Sequence, residues 1–213
     1  MSDFTFSVPV LLQILDLFGT MAFAVTGALK AIEHKMDIVG VVILACSTGL
    51  AGGIIRDIIL DRIPPKILID PFYLIVAVST GLLVFFLYRF FKENVNLFLK
   101  FDAIGLGVFS ILGASIAYET LGLSFIAMTL AGVSTAIGGG ILRDVFVREI
   151  PLVFVKELYA SASFLGIIIF YSMLYYNVNY YLSMLICIVI ITSLRLLAMK
   201  YNWNLPRTRT NKN

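Results

Sequence analysis

Six charged residues interrupt apolar stretches of this chain: Asp16, Arg56, Asp57, Asp102, Arg143 and Asp144. An unpaired charge near the centre of a bilayer costs at least about 2.5–3.5 kcal/mol, so each needs a partner or water. Their types do not suggest catalysis. The single histidine, His34, falls in a short polar loop where it is expected to be solvated, and Cys46 and Cys187 lie in apolar runs as small core residues. No triad, zinc set or nucleotide loop can be assembled, because the glycine runs neither follow a strand nor carry a phosphate-binding lysine. The chain is therefore not read as an enzyme, and no metal or cofactor is expected. Carboxylates near the mouth of a polar path concentrate cations and disfavour anions, which is the chemistry these residues could do.

Depth suggests how the charges pair. Asp16 is about eight residues into the first apolar segment, and Arg56 is about four residues from the end of the second on the same side of the bilayer. Asp102 and Arg143 repeat this arrangement on the other side. The expected ion pairs are Asp16–Arg56 and Asp102–Arg143. Neighbours on a helix point about 100° apart, so Arg56 and Asp57 are expected to be poor partners. This leaves Asp57 and Asp144 to face the two mouths. Lys30, at the end of the first segment, either snorkels to the surface or guards the inner mouth.

Glycines crowd the same two segments, at Gly49, Gly52 and Gly53 and at Gly138, Gly139 and Gly140. Small residues serve close helix packing in membranes. Adjacent glycines also loosen a helix, and a kink there would turn carbonyl oxygens toward an aqueous path. Both readings stand, and Ser47, Thr48, Ser134 and Thr135 could add hydroxyl ligands.

These residues belong to an internal repeat. The stretch STGLAGGIIRDIILDRIP from Ser47 to Pro64 matches STAIGGGILRDVFVREIP from Ser134 to Pro151. A shift of 87 places carries Ser47, Thr48, Gly52, Gly53, Arg56, Asp57 and Pro64 onto Ser134, Thr135, Gly139, Gly140, Arg143, Asp144 and Pro151. A shift of 86 carries Asp16, Gly19 and Gly27 onto Asp102, Gly105 and Gly113.

The elements that must hold them are transmembrane helices. The 213 residues are 60% hydrophobic and 14% charged, where a soluble domain is nearer a quarter charged. Mean hydropathy is +0.98. Seven apolar segments, about Val8–Ile32, Ile38–Leu60, Pro71–Phe91, Phe101–Thr120, Leu123–Val147, Leu152–Tyr175 and Val178–Met199, each approach the ~20 residues of a span. The first follows a short polar start and is long enough to stay in the membrane uncleaved. The expected fold is all-α and integral to the membrane. Residues 8–92 and 98–176 form two three-helix repeats, 178–200 a seventh helix, and 201–213 a basic tail. Three spans per repeat is an odd number, so the second copy enters from the other side. Such inverted repeats place their site near the midplane on broken helices.

Lysine and arginine set the orientation. Apart from Arg56 and Arg143, the side holding the N-terminus carries Arg62 and Lys66. The opposite side carries Lys30, Lys35, Arg89, Lys92, Lys100, Arg148, Lys156, Arg195, Lys200, Arg207, Arg209 and Lys212. A split of two against twelve puts the N-terminus outside the cell membrane and the tail in the cytoplasm. Tyrosine and phenylalanine at Phe72–Tyr73, Tyr159 and Tyr175–Tyr181 suit interfacial belts.

The paired GG-x-x-RD elements on the second and fifth spans of a seven-span chain resemble the prokaryotic TRIC family. That family is similar to the trimeric intracellular cation channels of animal endoplasmic and sarcoplasmic reticulum. The duplicated unit also resembles a domain described as a glycine transporter. The resemblance implies a homotrimer in membrane lipid, with one pore per protomer lined mainly by kinked second and fifth helices and permeant to K⁺ and Na⁺. The sequence departs from the animal members in lacking their long charged tail and a clear copy of their lipid-binding Lys-Glu-Val motif. Phosphoinositide or calcium regulation is therefore not carried over. The residues alone leave open a carrier for glycine or another small solute. They give no sign of a nucleic-acid partner.

Overall fold

The computed structural model describes residues 10–91, 97–155, 158–201 and 203. The expected N-terminal start, Lys92, Lys156 and the tail beyond Trp203 lie outside the described residues. The order is α1 (Val10–Glu33), α2 (Ile38–Ile59), α3 (Lys66–Ile69), α4 (Phe72–Phe91), α5 (Leu97–Leu121), α6 (Phe125–Phe146), α7 (Leu152–Val155), α8 (Ala160–Tyr175) and α9 (Tyr180–Tyr201). Among the described residues, α1, α2, α5, α6 and α9 are long and apolar enough to cross a membrane. The apolar stretches Phe72–Tyr88 of α4 and Ala160–Tyr175 of α8 are shorter. The protein is thus an all-α integral membrane protein. Many large apolar side chains, such as Ile43, Phe86, Leu130 and Val189, are exposed as a lipid-facing surface requires.

The repeat extends to the helix ends. Asp37 caps α2 by accepting from the Gly40 amide at 2.7 Å, and Ser124 caps α6 by accepting from Ala127 at 3.4 Å. Each helix stops through a residue in left-handed backbone, Asp61 (φ 53°) and Arg148 (φ 60°). The next amides, Arg62 and Glu149, then donate back to the carbonyls of Asp57 and Asp144 at 2.8 and 2.9 Å. The chain is turned back across the helix end by these bonds, and the short helices α3 and α7 follow.

Two expectations change here. The segment Leu152–Tyr175 is not one span: α7 and α8 are separate, with Leu158 in left-handed backbone (φ 47°) just before α8. The proline equivalent to Pro151 is Pro65, not Pro64, because Pro65 and Pro151 immediately precede α3 and α7. The first repeat carries one extra residue in this loop, so the shift falls from 87 to 86 there.

In the core, α1 packs on α2 and α4 as α5 packs on α6 and α8, while α2 meets α6 and α1 meets α5 between the repeats. Phe23 and Phe109, 86 residues apart, sit edge to face with ring centroids 5.2 Å apart where the repeats meet. Helix α9 packs on α5 and α8. It is more than a peripheral brace, since its Arg195 is buried with its guanidinium 4.7 Å from the Tyr159 ring centroid.

Candidate functional site

Both GG-x-x-RD helices are helical without interruption across their glycines. No unwound break exposes carbonyls there, and the glycines divide into two roles. A Cβ on Gly52 would run into the carbonyl oxygen of Thr135, and one on Gly139 into that of Thr48. These two glycines are the close crossing of α2 and α6. Gly53 and Gly140 instead face the charged residues of their own repeats. A Cβ there would lie 3.7 Å from an Nη2 of Arg56 or Arg143, and on Gly140 also 3.2 Å from Tyr159 Oη. Gly49 packs on Thr20 and Ala24, and Gly138 on Ile55, so the two clusters match only in part. The hydroxyls of Ser47, Thr48, Ser134 and Thr135 donate to carbonyls of their own helices, at 2.8, 2.6, 2.6 and 2.5 Å.

The six intramembrane charges form two clusters, one per repeat. In the first, Arg56 Nη1 is 3.5 Å from Asp16 Oδ2 and its Nε donates to Asp57 Oδ1 at 2.9 Å. In the second, Arg143 Nη1 donates to Asp102 Oδ1 at 2.9 Å and Nε to Asp144 Oδ1 at 2.7 Å. The expected Asp16–Arg56 and Asp102–Arg143 pairs are therefore present. Asp57 and Asp144, expected to face the mouths, are buried and bonded to the adjacent arginine. The long arginine side chain curls back so that Nε reaches its neighbour, which a Cβ-direction argument does not capture. The second oxygen of each carboxylate accepts a backbone amide from the turned-back loop, Lys66 at 3.0 Å and Leu152 at 2.9 Å.

Two tyrosines complete the clusters. Tyr73 donates to Asp16 Oδ2 at 3.0 Å, and Tyr159 donates to Asp102 Oδ1 at 3.1 Å. Both are buried, so they are not the interfacial belt residues expected. The signal that could have found them was the shift of 86 that also joins Asp16 to Asp102. Thr26 was also missed: its Oγ1 accepts from Arg143 Nη1 at 3.0 Å. Nothing in its local sequence marks it.

The clusters lie at opposite ends of α1. Asp16 is in the first; Thr26, ten residues and about 15 Å further along the helix, is in the second. Beyond Thr26, Lys30 Nζ meets Glu149 Oε2 at 2.7 Å and Glu33 Oε2 at 3.5 Å. His34 is not simply solvated, since its Nε2 lies 3.2 Å from Glu149 Oε1. A small, partly open pocket adjoins the first cluster, lined by Asp16, Gly53, Arg56, Asp57, Lys66 and Tyr73 and reaching Phe109. Lys66 Nζ stands 5.3 Å from the Tyr73 ring centroid. Burial pushes the Lys66 ammonium below its ordinary pKa, while Asp16 and Asp70 pull it back up.

The family model described as glycine transporter matches twice, over residues 13–89 and 99–175. The inner membrane protein YadS of Escherichia coli K12, a UPF0126 protein, is 36% identical over 201 residues, covering 93% of this chain and 97% of YadS. YvgT of Bacillus subtilis, another UPF0126 membrane protein, is 34% identical, covering 91% and 95%. Among solved structures, a TRIC cation channel studied for its conductance superposes with TM-score 0.86 at 37% identity, covering 94% of this chain and 98% of that one. A TRIC trimeric intracellular cation channel orthologue from Rhodobacter sphaeroides gives 0.86 at 32%, covering 91% and 100%. A TRIC counter-ion channel at 17% identity and TM-score 0.59 shares the fold. With a duplicated family match across most of its length and relatives this similar, the chain belongs to the UPF0126 family of membrane proteins, the duplicated family described as glycine transporter, which includes the prokaryotic TRIC-type channels.

Proposed function

We propose that this protein is a monovalent cation channel, passing K⁺ and Na⁺ through one path per protomer of a homotrimer in the cell membrane. The observation that carries the reading is the pair of matched Arg–Asp–Asp–Tyr clusters at opposite ends of the α2–α6 crossing. Each has one glycine, Gly53 or Gly140, beside its guanidinium. The path would run between the repeats of residues 8–92 and 98–176, past these glycines. The remaining units are the seventh helix, 178–200, and the tail, 201–213. Two carboxylates per cluster against one arginine leave each end net negative before other groups are counted, which favours cations over anions. The similarity to TRIC cation channels over nearly the whole chain supports the same reading. The distribution of lysine and arginine supports an outer N-terminus, with the first cluster facing outward and the second toward the cytoplasm.

Single-channel recording of the purified protein in a planar bilayer tests this. Discrete unitary currents whose reversal potential follows a K⁺ or Na⁺ gradient are expected. Saturable counterflow of glycine without unitary currents would instead assign the protein to the carriers. Mass measurement of the protein in native detergent complexes is expected to give three copies.

A further inference from the structure

The shift of 86 that carries Asp16 onto Asp102 and Tyr73 onto Tyr159 carries Thr26 onto Leu112. Thr26 Oγ1 donates to the Phe23 carbonyl at 2.8 Å and accepts from Arg143 Nη1 at 3.0 Å. The hydroxyl proton is thus committed to the carbonyl, and a lone pair is free for the guanidinium. Because Thr26 is on α1 and Arg143 on α6, this bond ties the first repeat to the second. Leu112 has no polar side-chain atom to offer in return. The side-chain bonds of Arg56 run to Asp57 and, at the long distance of 3.5 Å, to Asp16, both in its own repeat. Arg56 is buried as well, at 1% exposed, though it lines the small pocket beside its cluster. Arg143 is 0% exposed, its guanidinium 4.7 Å from the Phe98 ring centroid.

We propose that Thr26 is a positioning residue that locks Arg143 across the two repeats. The second-repeat end is thereby the closed gate of the path, while Arg56, held only by carboxylates of its own repeat, is the guanidinium that moves more readily. The inference rests on the channel reading above for its effect on current. A cation passing the second cluster meets a guanidinium that must first swing aside, and swinging aside breaks the Thr26 bond. Hydrogen bonds to charged groups are strong enough that losing one changes such an equilibrium by about tenfold or more.

The experiment compares Thr26→Val, Thr26→Ser and Leu112→Thr in the full chain, reconstituted in planar bilayers. Thr26→Val should raise open probability about tenfold, and Thr26→Ser, which keeps the hydroxyl, should behave as the parent. Leu112→Thr offers Arg56 the missing hydroxyl and should lower open probability. A parent channel that conducts, with Thr26→Val leaving open probability unchanged, overturns the lock and leaves the channel reading intact. A second measurement needs no current: phenylglyoxal labelling of the protein in detergent, read by peptide mass spectrometry. Arg56 should be modified faster than Arg143 in the parent, with Leu112→Thr slowing the modification of Arg56. Equal modification of the two arginines in the parent overturns the lock whether or not the protein conducts and whether or not Thr26→Val folds.

Discussion

The two charged clusters descend from one sequence pattern, yet they are held differently. In the first, a cation stands over the tyrosine ring from within the repeat: Lys66 of α3 over Tyr73. In the second, Leu152 occupies the place of Lys66, and the cation over Tyr159 comes instead from Arg195 of α9. Both are buried, but the first has a 3.5 Å contact between Arg56 and Asp16 and adjoins a small pocket, whereas the second has a 2.9 Å contact between Arg143 and Asp102 and a cross-repeat hydroxyl. Pseudosymmetry therefore fixes which residues meet, and the single helix outside the repeat, together with single-residue differences such as Thr26 against Leu112, decides how tightly. A duplicated scaffold gains two unlike ends in this way without altering its shared pattern.

The largest expected contrast is Asp102→Ala against Asp16→Ala. Removing one partner of a buried pair leaves an uncompensated charge and costs about 3–5 kcal/mol. Asp102→Ala should reach that range in thermal or denaturant unfolding in detergent, whereas Asp16→Ala, beside the open pocket, should cost clearly less. Equal losses would mean that the two ends are equivalent. Next come Gly52→Ala and Gly139→Ala, which should each cost about 1–3 kcal/mol, because a methyl meets a fixed backbone carbonyl. These two should match each other, while Gly53→Ala, with only Arg56 nearby, should leave the melting temperature almost unchanged. Tyr73→Phe and Tyr159→Phe each delete a donor to a buried carboxylate and should cost about 1.5–3 kcal/mol, the second at least as much as the first. The smallest effect is expected from Lys66→Met. Unitary cation conductance should rise modestly at low salt and converge on the parent value at high salt, where screening shortens the reach of the charge. A salt-independent change would point to altered shape rather than altered potential.

Much of the candidate site was legible because lipid makes charge conspicuous. Asp16, Arg56, Asp102 and Arg143 stood out against apolar neighbours, and their matched depths were enough to pair them. The bonds from Arg56 to Asp57 and from Arg143 to Asp144 were not foreseen, because the periodicity of a helix describes where a side chain leaves the backbone, not where a long guanidinium ends. Tyr73 and Tyr159 were hidden for a different reason: aromatic residues are also what a membrane interface displays, so their type carried no contrast. The glycines signalled a special crossing, but whether they broke the helix or closed it onto its partner depended on what lay opposite.

The sequence by itself determined the membrane fold, the duplication and the identity of the charged set. Each of these follows from composition and self-similarity, which need no coordinates. Tertiary structure alone decided that Gly52 and Gly139 abut threonine carbonyls, that the loops after α2 and α6 turn back to donate amides to Asp57 and Asp144, and that Thr26 reaches Arg143. These are contacts between segments distant in the chain or across a left-handed turn. Their geometry is set by how closely helices approach, a quantity that no local pattern encodes.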